Sequence, residues 1–165
     1  MDLIKLDINN KAMCMKLLPI YQIYEAEISE DELDEFYPKD SFDALFEHFK
    51  QYFDKKTTII CEIEGVYQGF VTFHVVCEKI PAYAKGYEGW GHISEIFISQ
   101  DARGLGLGKL MVEKAEKELN KLNVKGIHLM NLLPENKGFW ESLGYKFTGK
   151  IEPNEGGHVF EKAGR

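Results

Sequence analysis

The stretch Ile93-Ser94-Glu95-Ile96-Phe97-Ile98-Ser99-Gln100-Asp101-Ala102-Arg103-Gly104-Leu105-Gly106-Leu107-Gly108-Lys109 decides the fold. Its opening is rich in β-formers and predicts a strand over 92–99. The next residues are polar and turn the chain. Three alternating glycines, Gly104, Gly106 and Gly108, then open an amphipathic helix predicted over 106–122. Glycine lets the backbone approach a ligand closely and take dihedrals closed to other residues. The free N–H groups of the first helical turn, with the positive end of the macrodipole, form an anion site worth roughly 0.3–1 kcal/mol per charge when exposed. A pyrophosphate fits such a place. Arg103 and Lys109 bring positive charge to a chain whose formal net charge is −7.

Two common phosphate-binding patterns fail here. A Walker A loop needs a glycine five residues before its Gly-Lys pair and Ser or Thr after it, where Arg103 and Leu110 stand. A dinucleotide fingerprint needs Gly-x-Gly-x-x-Gly. Counted from Gly104 its third glycine falls on Lys109, and counted from Gly106 on Met111. The remaining alternative from the residues alone is a glycine-rich turn that only reverses the chain.

Outward from this junction, strands are predicted over 3–8, 57–63, 67–76, 124–131, 145–151 and 158–162. The turn Glu64-Gly65-Val66 joins two of them as a hairpin. Helices are predicted over 11–26, with a kink or break at Pro19, over 42–53 with Ser41 as N-cap, and over 134–143, stopped by Gly144. Residues 27–35 read as loop or frayed helix, and 80–91 as loop. The order β α α β β β α β α β β is an α+β pattern, with an antiparallel first half leading into a β–α–β unit. No linker-like tract divides the 165 residues, so 1–165 is read as one domain.

Arg103-x-x-Gly106-x-Gly108 resembles the Arg/Gln-x-x-Gly-x-Gly/Ala signature of the GNAT superfamily of N-acetyltransferases. The later Phe139-Trp140-Glu141-Ser142-Leu143-Gly144-Tyr145 is similar to that superfamily's Phe-Tyr-x-x-x-Gly-Phe segment. The resemblance covers about residues 91–149 and implies a mixed, mostly antiparallel sheet with a central splayed strand pair and flanking helices. It implies acetyl-CoA as cosubstrate. Ile96, Phe97 and Ile98 would hold the pantetheine arm. Arg103, Gly104, Leu105, Gly106, Leu107, Gly108 and Lys109 would hold the pyrophosphate. It also implies direct attack by an amine, of a small molecule or a protein, on a carbonyl polarised by a backbone N–H. Trp140 stands where many members carry a proton-donating tyrosine, which leaves a catalytically silent CoA-binding regulatory module as the alternative. The asparagine common before the last helix would fall on Leu133, with Asn136 three residues out of register.

For the proton acceptor, the family's usual acid position corresponds to His92, a residue suited to proton transfer near neutrality. Glu95 is the second candidate. Simple alternation places His92, Ser94 and Ile96 on one face and Ile93, Glu95 and Phe97 on the other. His74 reads as a core histidine, and His128 and His158 give no metal spacing. Tyr83, Tyr87, Glu88 and Trp90 lie in the loop before this strand and read chiefly as packing residues. Cys61 and Cys77 read as small buried apolar residues, and three cysteines without paired spacing give neither a disulfide framework nor a zinc site. The acidic balance disfavours nucleic acid. No apolar run reaches the ~20 residues that span a bilayer. An acidic start without a signal pattern points to the cytoplasm. The sequence leaves room for a homodimer.

Overall fold

The computed structural model describes residues 1–28, 42–77 and 86–164, without the side chains of 42–45 and 48. Seven strands form one sheet: β1 (Asp2–Lys5), β2 (Thr57–Ile63), β3 (Val66–Val75), β4 (Gly91–Ile98), β5 (Gly126–Asn131), β6 (Lys146–Ile151) and β7 (His158–Ala163). Their spatial order is β1-β2-β3-β4-β5-β7-β6, antiparallel throughout except β4–β5. The described helices are α1 (Lys11–Ile28), α2 (Phe42–Phe53), α3 (Leu107–Lys121) and α4 (Lys137–Ser142). This is the expected α+β arrangement in the expected order. The predicted N-cap Ser41 and the loop residue Tyr83 lie outside the described residues.

Each face of the sheet has its own core. On one face α3 buries Leu107, Met111, Val112, Ala115 and Leu119, spaced as one helical stripe, against Ile59, Val71, Phe73, Ile93 and Ile127. Each fully buried large side chain contributes about 1.5–3 kcal/mol. On the other face α1 and α2 bring Leu17, Tyr21, Phe49 and Phe53 against Ile60, Phe70 and Phe97. The Glu64–Gly65 turn has positive φ at both residues, 49° and 79°, the primed geometry that suits a two-residue hairpin.

Three expectations are corrected. First, α1 runs unbroken through Pro19 to Ile28. Pro19 is exposed, so the backbone carbonyl it leaves unpaired can meet water, while Leu17, Leu18, Ile20 and Tyr21 around it are buried. Packing outweighs the missing bond. Second, Cys77 is exposed just past the end of β3, whereas Cys61 is buried as expected. Third, β4 does not alternate simply. Thr72 pairs with Glu95 and Phe73 with Ile93, so Ser94 is an extra residue that shifts the register by one. Ile93 and Ile96 therefore both pack on the α3 core, and Glu95 shares the α1/α2 face with Phe97. Because His74 sits between Phe73 and Val75, which pack on the α3 core, it too lies on the α1/α2 face, with His92 opposite it. His92 and Glu95 are thus on one face, contrary to the alternation.

Candidate active site

β4 pairs with β5 only over Gly91–Ile93 against Ile127–Leu129. Beyond that point the two strands part, and β4 from Ser94 to Ile98 keeps only β3 as a neighbour. A short 3₁₀ turn, Gln100–Ala102, then leads to the glycines and α3. Gly104 and Gly106 have φ of +79° and +77°, and Gly106 is the N-cap of α3 with no side chain capping the helix. A Cβ at either glycine would meet nothing within 4 Å. The protein itself therefore leaves this space open, and the first-turn N–H groups face it uncapped. Gly108 differs: a Cβ there would touch the Phe139 ring at 3.4 Å, so Phe139 of α4 lies over the start of α3.

Arg103 does not stand loose beside the glycines. Its Nε donates to the Ile98 carbonyl (2.9 Å), and its guanidinium pairs with Glu27 of α1 (2.6 Å) and lies over Phe97. The side chain closes the turn from β4 and ties it to α1. Lys109 makes a long pair with Glu113, 3.9 Å away. Trp140 is buried in the α3 core beside Phe139 and Tyr145, and Asn136 is exposed without capping α4.

Glu95 is 7% exposed on the other face. Its Oε1 accepts hydrogen bonds from the Tyr52 hydroxyl of α2 and from Lys56 Nζ (3.1 Å). Its Oε2 is buried with no partner among the described residues. Lys56 also lies 3.9 Å from the centre of the Tyr52 ring. Tyr21 of α1 hydrogen-bonds with Tyr52 and Glu25 behind this cluster. Burial, and then the Glu95 charge, push the Tyr52 hydroxyl well above its ordinary value, so it stays protonated.

His92 belongs to a row that sequence spacing did not reveal. His74, His92 and His128 stand in register on β3, β4 and β5, with ring centroids 5.1 Å and 4.5 Å apart. His74 Nδ1 is 3.1 Å from Ser94 Oγ, and His128 Nδ1 donates to the Gly91 carbonyl at 3.1 Å. Tyr87 stacks on His128 and gives its hydroxyl to Glu161. Burial lowers His74 to about 4, helped by the Lys56 cation, and burial likewise lowers His128 to about 4. Burial first, then His128, hold His92 well below the ordinary histidine range. All three rings are neutral at pH 7. Among the described residues no group of three or more His, Cys, Asp or Glu is placed to hold a metal ion.

Tyr52, Lys56, His74 and His128 could have been found only from the sheet register and from where α2 lands. No local motif marks them.

The profile of the acetyltransferase (GNAT) family matches residues 19–145, and the chain belongs to that family. It is an N-acetyltransferase that uses acetyl-CoA and an amine acceptor. No curated protein sequence is recognisably similar to it. Among solved structures, aminoglycoside 6′-acetyltransferase type Ii is similar at TM-score 0.71 and 16% identity, covering 99% of this chain and 97% of that one. An aminoglycoside 6′-N-acetyltransferase complexed with coenzyme A gives 0.69 and 14%, over 99% and 97%. The PaiA N-acetyltransferase of Thermoplasma acidophilum, in complex with coenzyme A, gives 0.66 and 12%, over 99% of each chain. At these identities the likeness is one of fold. No described helix is long and apolar enough to cross a membrane.

Proposed function

We propose that the protein transfers the acetyl group of acetyl-CoA by direct attack of a primary amine, on a small molecule or a protein, with Glu95 as the proton acceptor. The observation that carries this is the buried Glu95 carboxylate: one oxygen is fixed by Tyr52 and Lys56 and the other is left without a partner, on the strand that parts from β5. An unpaired buried carboxylate oxygen is costly, and an amine N–H would satisfy it. The cofactor's pyrophosphate would sit on the uncapped start of α3 at Arg103, Gly104, Leu105, Gly106, Leu107, Gly108 and Lys109. Its pantetheine arm would lie along Ile96, Phe97 and Ile98, where β4 has lost β5. His92 is the weaker candidate, because burial makes it a poor base near neutrality.

The residues fit the cofactor: the space beside Gly104 and Gly106 is open, and the helix start lacks a cap. When bound, acetyl-CoA supplies the thioester. The chain's part is to hold it, to take the amine's proton at Glu95, and to polarise the carbonyl with a β4 backbone N–H. The test is an acceptor screen that follows release of the CoA thiol. The panel holds a diamine, tyramine, an aminoglycoside and peptide amines, with wild type beside Glu95→Gln. At least one amine should be acetylated by wild type and much more slowly by Glu95→Gln. Equal rates in the two proteins would remove Glu95 from the reaction.

A further inference from the structure

Lys56 brings a positive charge to the Glu95 cluster whose effect on the acceptor the proposed chemistry has not used. Its ammonium is mostly buried, its side chain 18% exposed, 3.1 Å from Oε1 and over the Tyr52 ring. Resting on the reading of Glu95 above, we propose that Lys56 is a positioning residue for the transfer. With Tyr52 it pins Oε1, so that Oε2 alone meets the acceptor amine, and its charge disfavours the ammonium form of that amine.

The geometry sets the size of the effect. An amine hydrogen-bonded to Oε2 would lie about 5–6 Å from Lys56 Nζ, from two hydrogen-bond lengths bent across one carboxylate. A like charge at that range in a buried site lowers an ammonium's pKa by roughly one to two pH units. The nearer Glu95 carboxylate favours the ammonium, and Lys56 offsets that pull. The amine must lose one proton to solvent before it attacks, and Glu95 takes the second N–H proton as the amide forms, so Lys56 raises the neutral fraction where the chemistry occurs. The remaining groups around Glu95 do not compete in that pH range. His74 and His92, facing it from β3 and β4, are already neutral, as is His128 on β5. Tyr52 of α2 and Tyr21 of α1 are both pushed above their ordinary values and stay protonated. Glu25 lies behind Tyr21, and Thr58 and Thr72 carry no charge.

The experiment is the pH dependence of kcat, which reports groups in the bound complex, for wild type, Lys56→Met and Lys56→Arg. The probes are n-butylamine, an ammonium near neutrality, and hydroxylamine, already neutral there. The melting shift given by CoA serves as a check that each variant is folded. With n-butylamine, Lys56→Met should move the ascending limb of kcat up by about one to two pH units and lower kcat at pH 7 by roughly ten- to a hundredfold. Lys56→Arg should keep the limb in place, and hydroxylamine should lose no more than a few-fold with either variant. A limb that stays put in Lys56→Met overturns the proposal. So does an equal shift in Lys56→Arg, or equal losses with both probes, which would mark a packing role. A wild type that acetylates neither probe overturns it alone when the wider amine panel is acetylated, and together with the acetyl-transfer reading when that panel is not; an active wild type with an unmoved Lys56→Met limb also overturns it alone.

Discussion

Gly106 and Gly108 look alike in the motif but do different work in the structure, and alanine at each separates the two roles. Gly106 has φ +77° with open space around it. Gly106→Ala meets no clash and adopts a left-handed conformation at a cost of roughly 1–2 kcal/mol. For a chain of this size that lowers Tm by about 2–8 °C. Gly108 is helical and its new methyl would rest on the Phe139 ring at 3.4 Å. Gly108→Ala gains up to about 1 kcal/mol of helix propensity, offset by crowding against Phe139, so Tm should move little. The Gly106 methyl would stand in the open space of the proposed pyrophosphate site, so Gly106→Ala should lose CoA affinity by at least about tenfold. The Gly108 methyl rests on Phe139, at a position the family signature fills with Gly or Ala, so Gly108→Ala should keep it within a few-fold. The assay is thermal unfolding with and without CoA, since a ligand of the native state raises Tm by mass action. A wild-type CoA shift in Gly106→Ala would refute the cofactor site. A Gly106→Ala protein as stable as wild type would refute the strain argument.

Glu95→Gln should lower turnover at least about a hundredfold while leaving the CoA-induced Tm shift intact, read by thiol release and calorimetry side by side. The buried histidines predict acid sensitivity. His74 and His128 bind fewer protons folded than unfolded, because their folded pKa values lie at about 4, below the ordinary histidine value. Their penalty is absent above the unfolded value and grows as pH falls from about 6.5 toward 4, on the order of 3 kcal/mol for each. Urea midpoints should fall across that window, and less steeply in His74→Phe; a flat profile would contradict the burial argument. Glu27→Gln should free the Arg103 guanidinium, and CoA affinity should change by a few-fold at most if the backbone rather than this side chain holds the phosphate; titration calorimetry decides.

The strand–turn–helix junction proposed to hold the cofactor was legible in the sequence because it is local. A strand, a turn and three glycines follow one another without interruption, and every element from 91 to 149 falls close to its expected bounds. The cluster proposed to meet the acceptor was legible only in part. Glu95 and His92 were visible as polar residues in an apolar strand, but their relation was misjudged, since a strand written in one dimension does not reveal an extra residue at Ser94. Tyr52 read as one aromatic among many in a phenylalanine-rich helix. Its meaning comes from α2 packing over β4, a contact between residues 43 positions apart. Lys56 and His128 carried no motif. Pro19 was overestimated because propensity counts the lost hydrogen bond and not the buried flank beside it.

The extra residue at Ser94 also sets a reading frame for β4. Residues before it and residues after it are assigned to the two faces by opposite parity. Deleting Ser94 would heal the bulge and leave the faces as they are, since Ile93 and Glu95 would then stand side by side opposite Phe73 and Thr72. What the deletion would take away is the bend and extra twist that a bulge gives its strand, at the point just past Ile93 where β4 leaves β5. The Ser94 hydroxyl beside His74 would go with it. A serine-to-alanine change would remove the hydroxyl alone and keep the bend.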